Sequence, residues 1–180
     1  MWDFAWLVWH NKLPLGNWLA HIGVIEATEE KCHLCGAVEY FGHIIWYCPW
    51  AVEVTEWWKR QWSFLAGKPA PNVPFGWISG SAAPVPWQVA TWLLMKIMFD
   101  IRTASRMEEN RPPPLSTIKA IWAATWIREL QVWAIWKCTD VDSTNAFNKQ
   151  WCFQLKIGKA VRSPPKVLLD PVDPQFWVVD

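Results

Sequence analysis

A cluster of cysteine and histidine residues most restricts how this chain can fold. Cys32, Cys35, His43 and Cys48 follow one another with the spacing C-x2-C-x7-H-x4-C, so three thiols and one imidazole fall within 17 residues. Thiolate and imidazole ligands in so short a segment favour a closed, tetrahedral Zn²⁺ site. The sequence therefore predicts one Zn²⁺ per chain, held by these four side chains.

The backbone around the four candidate ligands must bend in two places. Gly36 directly follows the second cysteine and permits the tight turn through which both thiolates of C-x-x-C reach one metal. His43 and Cys48 are five residues apart and would point about 140° apart on a continuous α-helix. We therefore expect irregular backbone between them, and Pro49 favours non-helical geometry at Cys48.

Other interpretations of the cysteines remain open. Three buried cysteines and a hydrogen-bonded histidine could be close in sequence without a metal, and a redox C-x-x-C would normally begin a helix in a βαβ unit, which the pattern does not show. His33 could replace His43 as the fourth ligand, although its adjacency to Cys32 makes that geometry awkward. Cys138 and Cys152 have no partner at ligand spacing and are expected to be buried thiols.

Hydrophobic periodicity predicts a mainly α fold, with a small zinc-knuckle unit flanked by helices and a tryptophan-rich helical unit. Hydrophobic residues make up 52% of the 180 residues and 18 of the residues are tryptophan, so the chain must bury much of its apolar surface. The predicted organisation is a helical zinc-binding unit at 1–66, a Pro/Gly-rich linker at 67–86, a helical unit at 87–162 and an extended Pro-rich tail at 163–180.

Within these units the spacing of apolar residues predicts individual helices. The first two are expected at 4–11 and from an Asn17 cap to Gly23, and a third begins at Pro49. Longer helices are expected at 87–107 and from 116 to about 138, and a last helix extends through Leu155. The tryptophans predicted to share one side of the 116–138 helix are Trp122, Trp126, Trp133 and Trp136.

Charge is unevenly distributed along the chain. Residues 1–56 contain seven acidic and two basic side chains, whereas residues 143–169 contain five basic and no acidic ones, within a total net charge of +1. The small total removes the usual electrostatic argument for a nucleic-acid-binding protein, so any phosphate contact is expected at the basic end. The predicted contacts are Lys149, Lys156, Lys159 and Arg162.

Composition and the lack of certain motifs argue against several classes of protein. The odd number of cysteines, five, with no leader segment argues against a secreted disulfide scaffold. The longest apolar stretch, 85–99, is interrupted by polar residues and is shorter than the roughly 18 residues of a membrane span. We expect a soluble, intracellular protein of a reducing compartment, without assigning nucleus or cytoplasm. No catalytic arrangement can be assembled, so no enzyme and no small-molecule substrate are expected.

Several motifs together resemble a known family. Residues 4–16, FAWLVWHNKLPLG, are followed by LAHIG at 19–23 and by the Cys32, Cys35, His43, Cys48 set, which ends in Cys-Pro-Trp. In this order they resemble the zinc-binding segment downstream of the reverse transcriptase in LINE-type, non-LTR retrotransposons, over about residues 4–62. AIWK at 134–137 and NAF at 145–147 loosely resemble elements that follow the knuckle in plant and fungal copies.

The resemblance implies a non-catalytic, retrotransposon-derived module that helps to hold RNA or DNA. Aromatic side chains beside the knuckle would stack on unpaired bases, although helical spacing favours core packing for most aromatic residues. The candidates for stacking are Tyr40, Phe41, Trp46 and Tyr47. The alternative is an exapted structural or interaction subunit of a larger protein assembly, in which zinc serves folding only and the tryptophan-rich helices bind a protein partner.

Overall fold

The computed structural model describes residues 2–67, 69–70, 85–108, 110–152, 158–162 and 165–169. This part of the chain is mainly helical, which confirms the predicted fold class. It divides into two compact units, the first comprising Met1–Trp57 and Trp92–Ile118 and the second Trp58–Thr91 and Lys119–Asp180. Most of the predicted linker at 67–86 lies outside the described residues, so that boundary stays a prediction. None of the helices in the described ranges is both long and apolar enough to cross a bilayer.

The first unit begins with helix α1 (Trp2–Trp9) and helix α2 (Gly16–His21). The predicted Asn17 cap is wrong, because the N-cap residue is Leu15, two residues earlier, and it makes no side-chain capping bond. The backbone N–H of Asn17 instead donates to the Glu39 carbonyl, at 3.1 Å. Gly23 follows α2 in the left-handed conformation predicted for it, with φ 73°.

Gly16 lies where two segments of the first unit approach too closely for a side chain. A Cβ at this position would be 2.5 Å from the carbonyl oxygen of Glu30, well inside the normal contact distance. The Gly16 N–H also donates to the Glu39 carboxylate, at 3.3 Å. Glycine therefore allows the turn before α2 to pack against the segment that carries the cysteines.

Two longer helices contribute to the core of the first unit. Helix α3 (Pro49–Ala66) begins at the predicted proline, and helix α4 spans Val85–Met107. The Phe4 ring of α1 contacts the rings of Trp92 and Phe99 of α4, with centroid distances of 6.1 and 5.5 Å. Other buried side chains in this unit are Leu13, Leu15, Ile44, Ile45, Val54, Trp57, Leu94, Met95 and Met98.

Tryptophans form the centre of the second unit, to which helix α5 (Leu115–Lys137) contributes. The buried ones include Trp58, Trp62, Trp87, Trp122 and Trp126. Trp58 stacks on Trp87, with centroids 5.2 Å apart, and lies 4.7 Å from Trp122. The indole N–H of Trp58 donates to the Thr91 hydroxyl at 3.0 Å, and that of Trp122 donates to the Ala90 carbonyl at 3.2 Å. In Trp58 and Trp122, apolar burial is thus combined with a satisfied indole donor.

The predicted common side of the α5 tryptophans is only partly correct. Trp122 and Trp126 are buried and Trp133 is half-buried, but the Trp136 side chain is 76% exposed. Buried residues recur in steps of four, at 118, 122, 126, 130 and 134. Each such step turns the stripe by about 40° around the helix, so Trp136 at the last turn falls outside it.

The segment after α5 differs most from the sequence prediction. Helix α6 (Val141–Phe147) is followed by a π-helical turn, Asn148–Cys152, and then by strands β1 (Gly158–Arg162) and β2 (Pro165–Leu169). The strands pair antiparallel, with Gly158 opposite Leu169. This pairing corrects the prediction from the sequence, which assigns residues 158–162 to a helical unit and residues 165–169 to an extended Pro-rich tail. Pro165 is the first residue of β2, where a missing N–H is tolerated.

We expect two tryptophan substitutions on α5 to differ sharply in their effect on stability. Trp122→Ala removes a buried indole and should lower the free energy of unfolding by about 3–5 kcal/mol. Trp136→Ala removes an exposed indole and should change it by no more than about 0.5 kcal/mol. Urea unfolding followed by far-ultraviolet circular dichroism measures both, and equal effects would contradict the burial pattern of α5.

Candidate metal centre

A short hairpin presents the first two candidate ligands. Lys31 and Val38 form an antiparallel bridge, and the Cys32 N–H donates to the Ala37 carbonyl at 2.7 Å. The chain returns at Gly36, whose φ of 78° lies in the left-handed region that glycine favours. The predicted need for glycine after the C-x-x-C pair is therefore confirmed.

The other two candidate ligands lie at the start of a π-helical turn, His43–Tyr47, and at the residue directly after it, Cys48. The Cys48 N–H donates to the His43 carbonyl at 2.8 Å, which is the five-residue bond of this wider helix. Cys48 itself is extended, with φ −65° and ψ 135°, and Pro49 begins α3. The predicted irregular backbone between His43 and Cys48 is present.

The four ligand atoms converge on one point. The Sγ atoms of Cys32, Cys35 and Cys48 and a ring nitrogen of His43 all lie within 4.8 Å of one another. The Sγ atoms of Cys32 and Cys48 are 4.0 Å apart, and Cys35 Sγ is 3.3 Å from His43 Nε2. Zn–S bonds of about 2.3 Å in a tetrahedron place two sulfurs about 3.8 Å apart, so the group matches a tetrahedral site and could hold a metal ion.

His33 does not belong to this group, so the alternative ligand is not supported. Its Nε2 atom instead lies 3.2 Å from the Ser105 hydroxyl of α4. Burial, followed by the positive charge of Arg102, lowers the pKa of His33. The imidazole therefore connects the hairpin to α4 by a hydrogen bond.

A buried arginine from α4 contacts the sulfurs. The side chain of Arg102 is 3% exposed, and its Nη2 atom donates to Cys32 Sγ at 2.6 Å. Its Nη1 atom lies 3.9 Å from Cys48 Sγ. The Nε and Nη2 atoms also donate to one carboxylate oxygen of Glu39, at 3.2 and 2.9 Å.

The carboxylate of Glu39 is buried between two arginines. Its Oε2 atom accepts from Arg102, and its Oε1 atom accepts from Nη1 of Arg106 at 2.9 Å. The Glu39 side chain is 3% exposed, so the carboxylate depends on these charged donors for the solvation that it has lost. Arg106 also donates to the Glu29 carbonyl, at 3.3 Å.

The arginine contact distinguishes the two buried thiols. Burial alone would raise the pKa of Cys32, but hydrogen bonds from Arg102 and His43 outweigh it and lower the pKa to about 6. Burial raises the pKa of Cys48, and the neighbouring Cys32 charge adds to that effect. Of the two buried thiols, Cys32 is therefore the one favoured as a thiolate, which is the form that binds metal.

Solvent reaches the centre from one side. Cys35 is exposed, whereas Cys32, His43 and Cys48 are buried. Of the predicted stacking residues, Tyr40 and Tyr47 are exposed, with ring centroids 6.4 Å apart. Phe41 and Trp46 are half-buried and contact each other edge to face, at 5.5 Å.

The predicted phosphate contacts fall on the last elements of the second unit. Lys149 is exposed on the π-helical turn Asn148–Cys152, and Lys159 and Arg162 lie on β1. Strand β1 contacts both this turn and α6, so the three positions belong to one region of the fold. Lys156 lies outside the described residues.

The prediction that the two cysteines outside the ligand group are buried can be compared with the structure for one of them. Cys138 is buried as predicted, with 2% of its surface exposed, and burial raises its pKa. The side chain of Cys152 lies outside the described part of the chain.

Sequence reasoning missed the two arginines and Glu39. The available signal was a pair of arginines four residues apart, Arg102 and Arg106, on a helix that is otherwise largely apolar. Such a pair lies on one helix face and requires an anionic partner if it is buried. Glu39, between the second and third candidate ligands, is the only acidic residue in the sequence of the ligand segment 32–48.

Comparisons with models of protein families, with curated proteins and with solved structures give no match to this chain. The resemblance to the retrotransposon zinc-binding segment therefore stays a prediction.

We expect the purified protein to contain about one equivalent of Zn²⁺. The double variant Cys35→Ser, Cys48→Ser should lose the metal, because two of the four ligands are removed. Cys138→Ser is the matched control, since it replaces a buried thiol that is not a candidate ligand. Elemental analysis decides the outcome. Less than about half an equivalent in the wild type, or zinc retained in the double variant, would exclude the site.

Proposed function

We propose that this chain is a non-catalytic zinc-binding module that binds RNA or DNA and derives from a LINE-type retrotransposon. The observation that carries the proposal is the contact between the elements that bear Lys149, Lys159 and Arg162, because phosphate binding needs several cations in one region. The family relationship rests on the motif order in residues 4–62.

Zinc is the metal proposed for the centre, and its role is structural. Three thiolates and one imidazole fill a tetrahedral shell, which leaves no coordination position for water or substrate. Cys32, Cys35, His43 and Cys48 would hold the ion, which would fix the hairpin and the π-helical turn to each other. A closed shell of this kind supplies folding energy and not reaction chemistry.

The charges around the knuckle direct the proposed phosphate contact elsewhere. Glu39 is buried and paired with two arginines, so it presents no carboxylate to solvent. Glu26, Glu29 and Glu53 remain exposed in the acidic first third of the chain. Like charge repels phosphate, so the basic turn and hairpin of the second unit are the favoured contact surface.

We expect the affinity for single-stranded RNA to fall steeply as the salt concentration rises. Replacing the proposed contact residues together by alanine should reduce the slope of log K against log salt by about 3, because each lost phosphate contact on a single strand contributes about 0.7. The variant carries the substitutions Lys149→Ala, Lys156→Ala, Lys159→Ala and Arg162→Ala. Fluorescence anisotropy of a labelled oligonucleotide over a salt series measures the slope.

A second fourfold variant provides the control for net charge. It removes the same number of positive charges at exposed positions elsewhere and should keep the wild-type slope. These substitutions are Lys31→Ala, Arg60→Ala, Arg111→Ala and Arg128→Ala. Equal loss in both variants would mean that net charge and not the basic region determines binding.

Helix α5 favours one alternative function, an exapted interaction subunit of a larger protein assembly. Its exposed side includes Ile121, Val132, Ile135 and Trp136, with 38, 41, 56 and 76% of each side chain accessible. An apolar surface of this kind is typical of protein contact sites. Absence of any affinity for RNA or DNA at low salt would make this alternative the function to retain.

A further inference from the structure

The guanidinium of Arg102 comes from outside the ligand segment and contacts two of the candidate ligand sulfurs. It donates to Cys32 Sγ at 2.6 Å and lies 3.9 Å from Cys48 Sγ. It is buried, and the Glu39 carboxylate fixes its other edge through two hydrogen bonds. The planar, forked geometry of arginine permits both sets of contacts at once.

The charges of this cluster balance when a divalent metal is included. Three thiolates and a neutral imidazole around Zn²⁺ leave one negative charge, which Arg102 offsets. Glu39 adds a second negative charge, and Arg106 offsets that one at 2.9 Å. Burial of such a centre is favourable only when its charges are paired, so the two arginines match the requirement of the ligand set.

We propose that Arg102, held by Glu39, is a positioning residue of the metal centre. Its guanidinium orients the Cys32 sulfur toward the metal and withdraws electron density from the thiolate through the N–H···S hydrogen bond. Arg102 lies on α4, so metal binding also orders the contact between this helix and the ligand segment. The inference rests on the zinc binding of the proposed function.

Three variants distinguish the effect of the hydrogen bond to sulfur on zinc affinity from the effect of the positive charge. Arg102→Met removes the hydrogen bond to sulfur and should lower zinc affinity about 10–100-fold. Arg102→Lys keeps the charge but loses the fork, so it should restore only part of that affinity. Lys96→Met is the matched control, since it removes a cation of the same helix that pairs with Asp100 instead of Glu39, and should keep the affinity within about threefold.

Two measurements on each variant test the role. Competition with a chelator of known affinity gives the zinc dissociation constant. The sulfur-to-metal charge-transfer band of the Co²⁺-substituted protein should move to lower energy in Arg102→Met and remain in place in Lys96→Met, a change that a purely structural role would not produce. Unchanged zinc affinity and band position in Arg102→Met, or equal losses in both methionine variants, would overturn the proposal.

The wild type supplies a test that does not depend on folding of the variants. In protein with ¹⁵N-labelled arginine, zinc loading should slow solvent exchange of the Arg102 guanidinium protons, as seen by nuclear magnetic resonance. Rapid exchange of these protons in zinc-loaded protein would overturn the role of Arg102 and leave zinc binding intact. Failure of the wild type to bind zinc at all would overturn the proposed function as well.

Discussion

The ion pairs of one buried carboxylate determine how the first unit is assembled. Glu39 accepts hydrogen bonds from Arg102 and Arg106 of α4 and from the backbone of Gly16. Its own backbone N–H donates to the Glu30 carbonyl at 2.8 Å, which closes the hairpin of the candidate ligands. The residue therefore joins three segments that are far apart in sequence. A buried carboxylate left without these partners would be strongly unfavourable, so the segments must come together as a set.

The sequence was sufficient to predict the four candidate ligands and the bends of the backbone between them. It was insufficient to predict which residues from distant parts of the chain surround them. The bends at Gly36 and between His43 and Cys48 follow from short-range stereochemistry, which the spacing of the residues reveals. Arg102 is 70 residues from Cys32, and no local pattern indicates which buried surface an arginine on an apolar helix will contact. The β-hairpin was missed for the opposite reason. Its prolines are a strong local signal for extended chain without a partner strand, and the pairing of the two strands outweighed that signal.

The tryptophan content has a structural explanation in the second unit. Stacked and edge-to-face contacts among Trp58, Trp62 and Trp87 fill a volume that smaller side chains would leave partly empty. The steps of four residues on α5 continue this packing along the helix. The stripe cannot include every tryptophan of a 23-residue helix, because its drift around the axis carries the last turn away from the core.

Because Cys35 is the exposed ligand, reactions of a metal bound at the centre would begin on one side of it. In a site built from these ligands, two sulfurs are enclosed by protein and one faces solvent. Reactions of metal-bound thiolates with electrophiles, oxidants and competing chelators depend on access to the sulfur as well as on its electron density. Exchange of the ion would accordingly begin at Cys35, and the lifetime of the bound metal would be set by the ligand with the least protection rather than by the total strength of the four bonds.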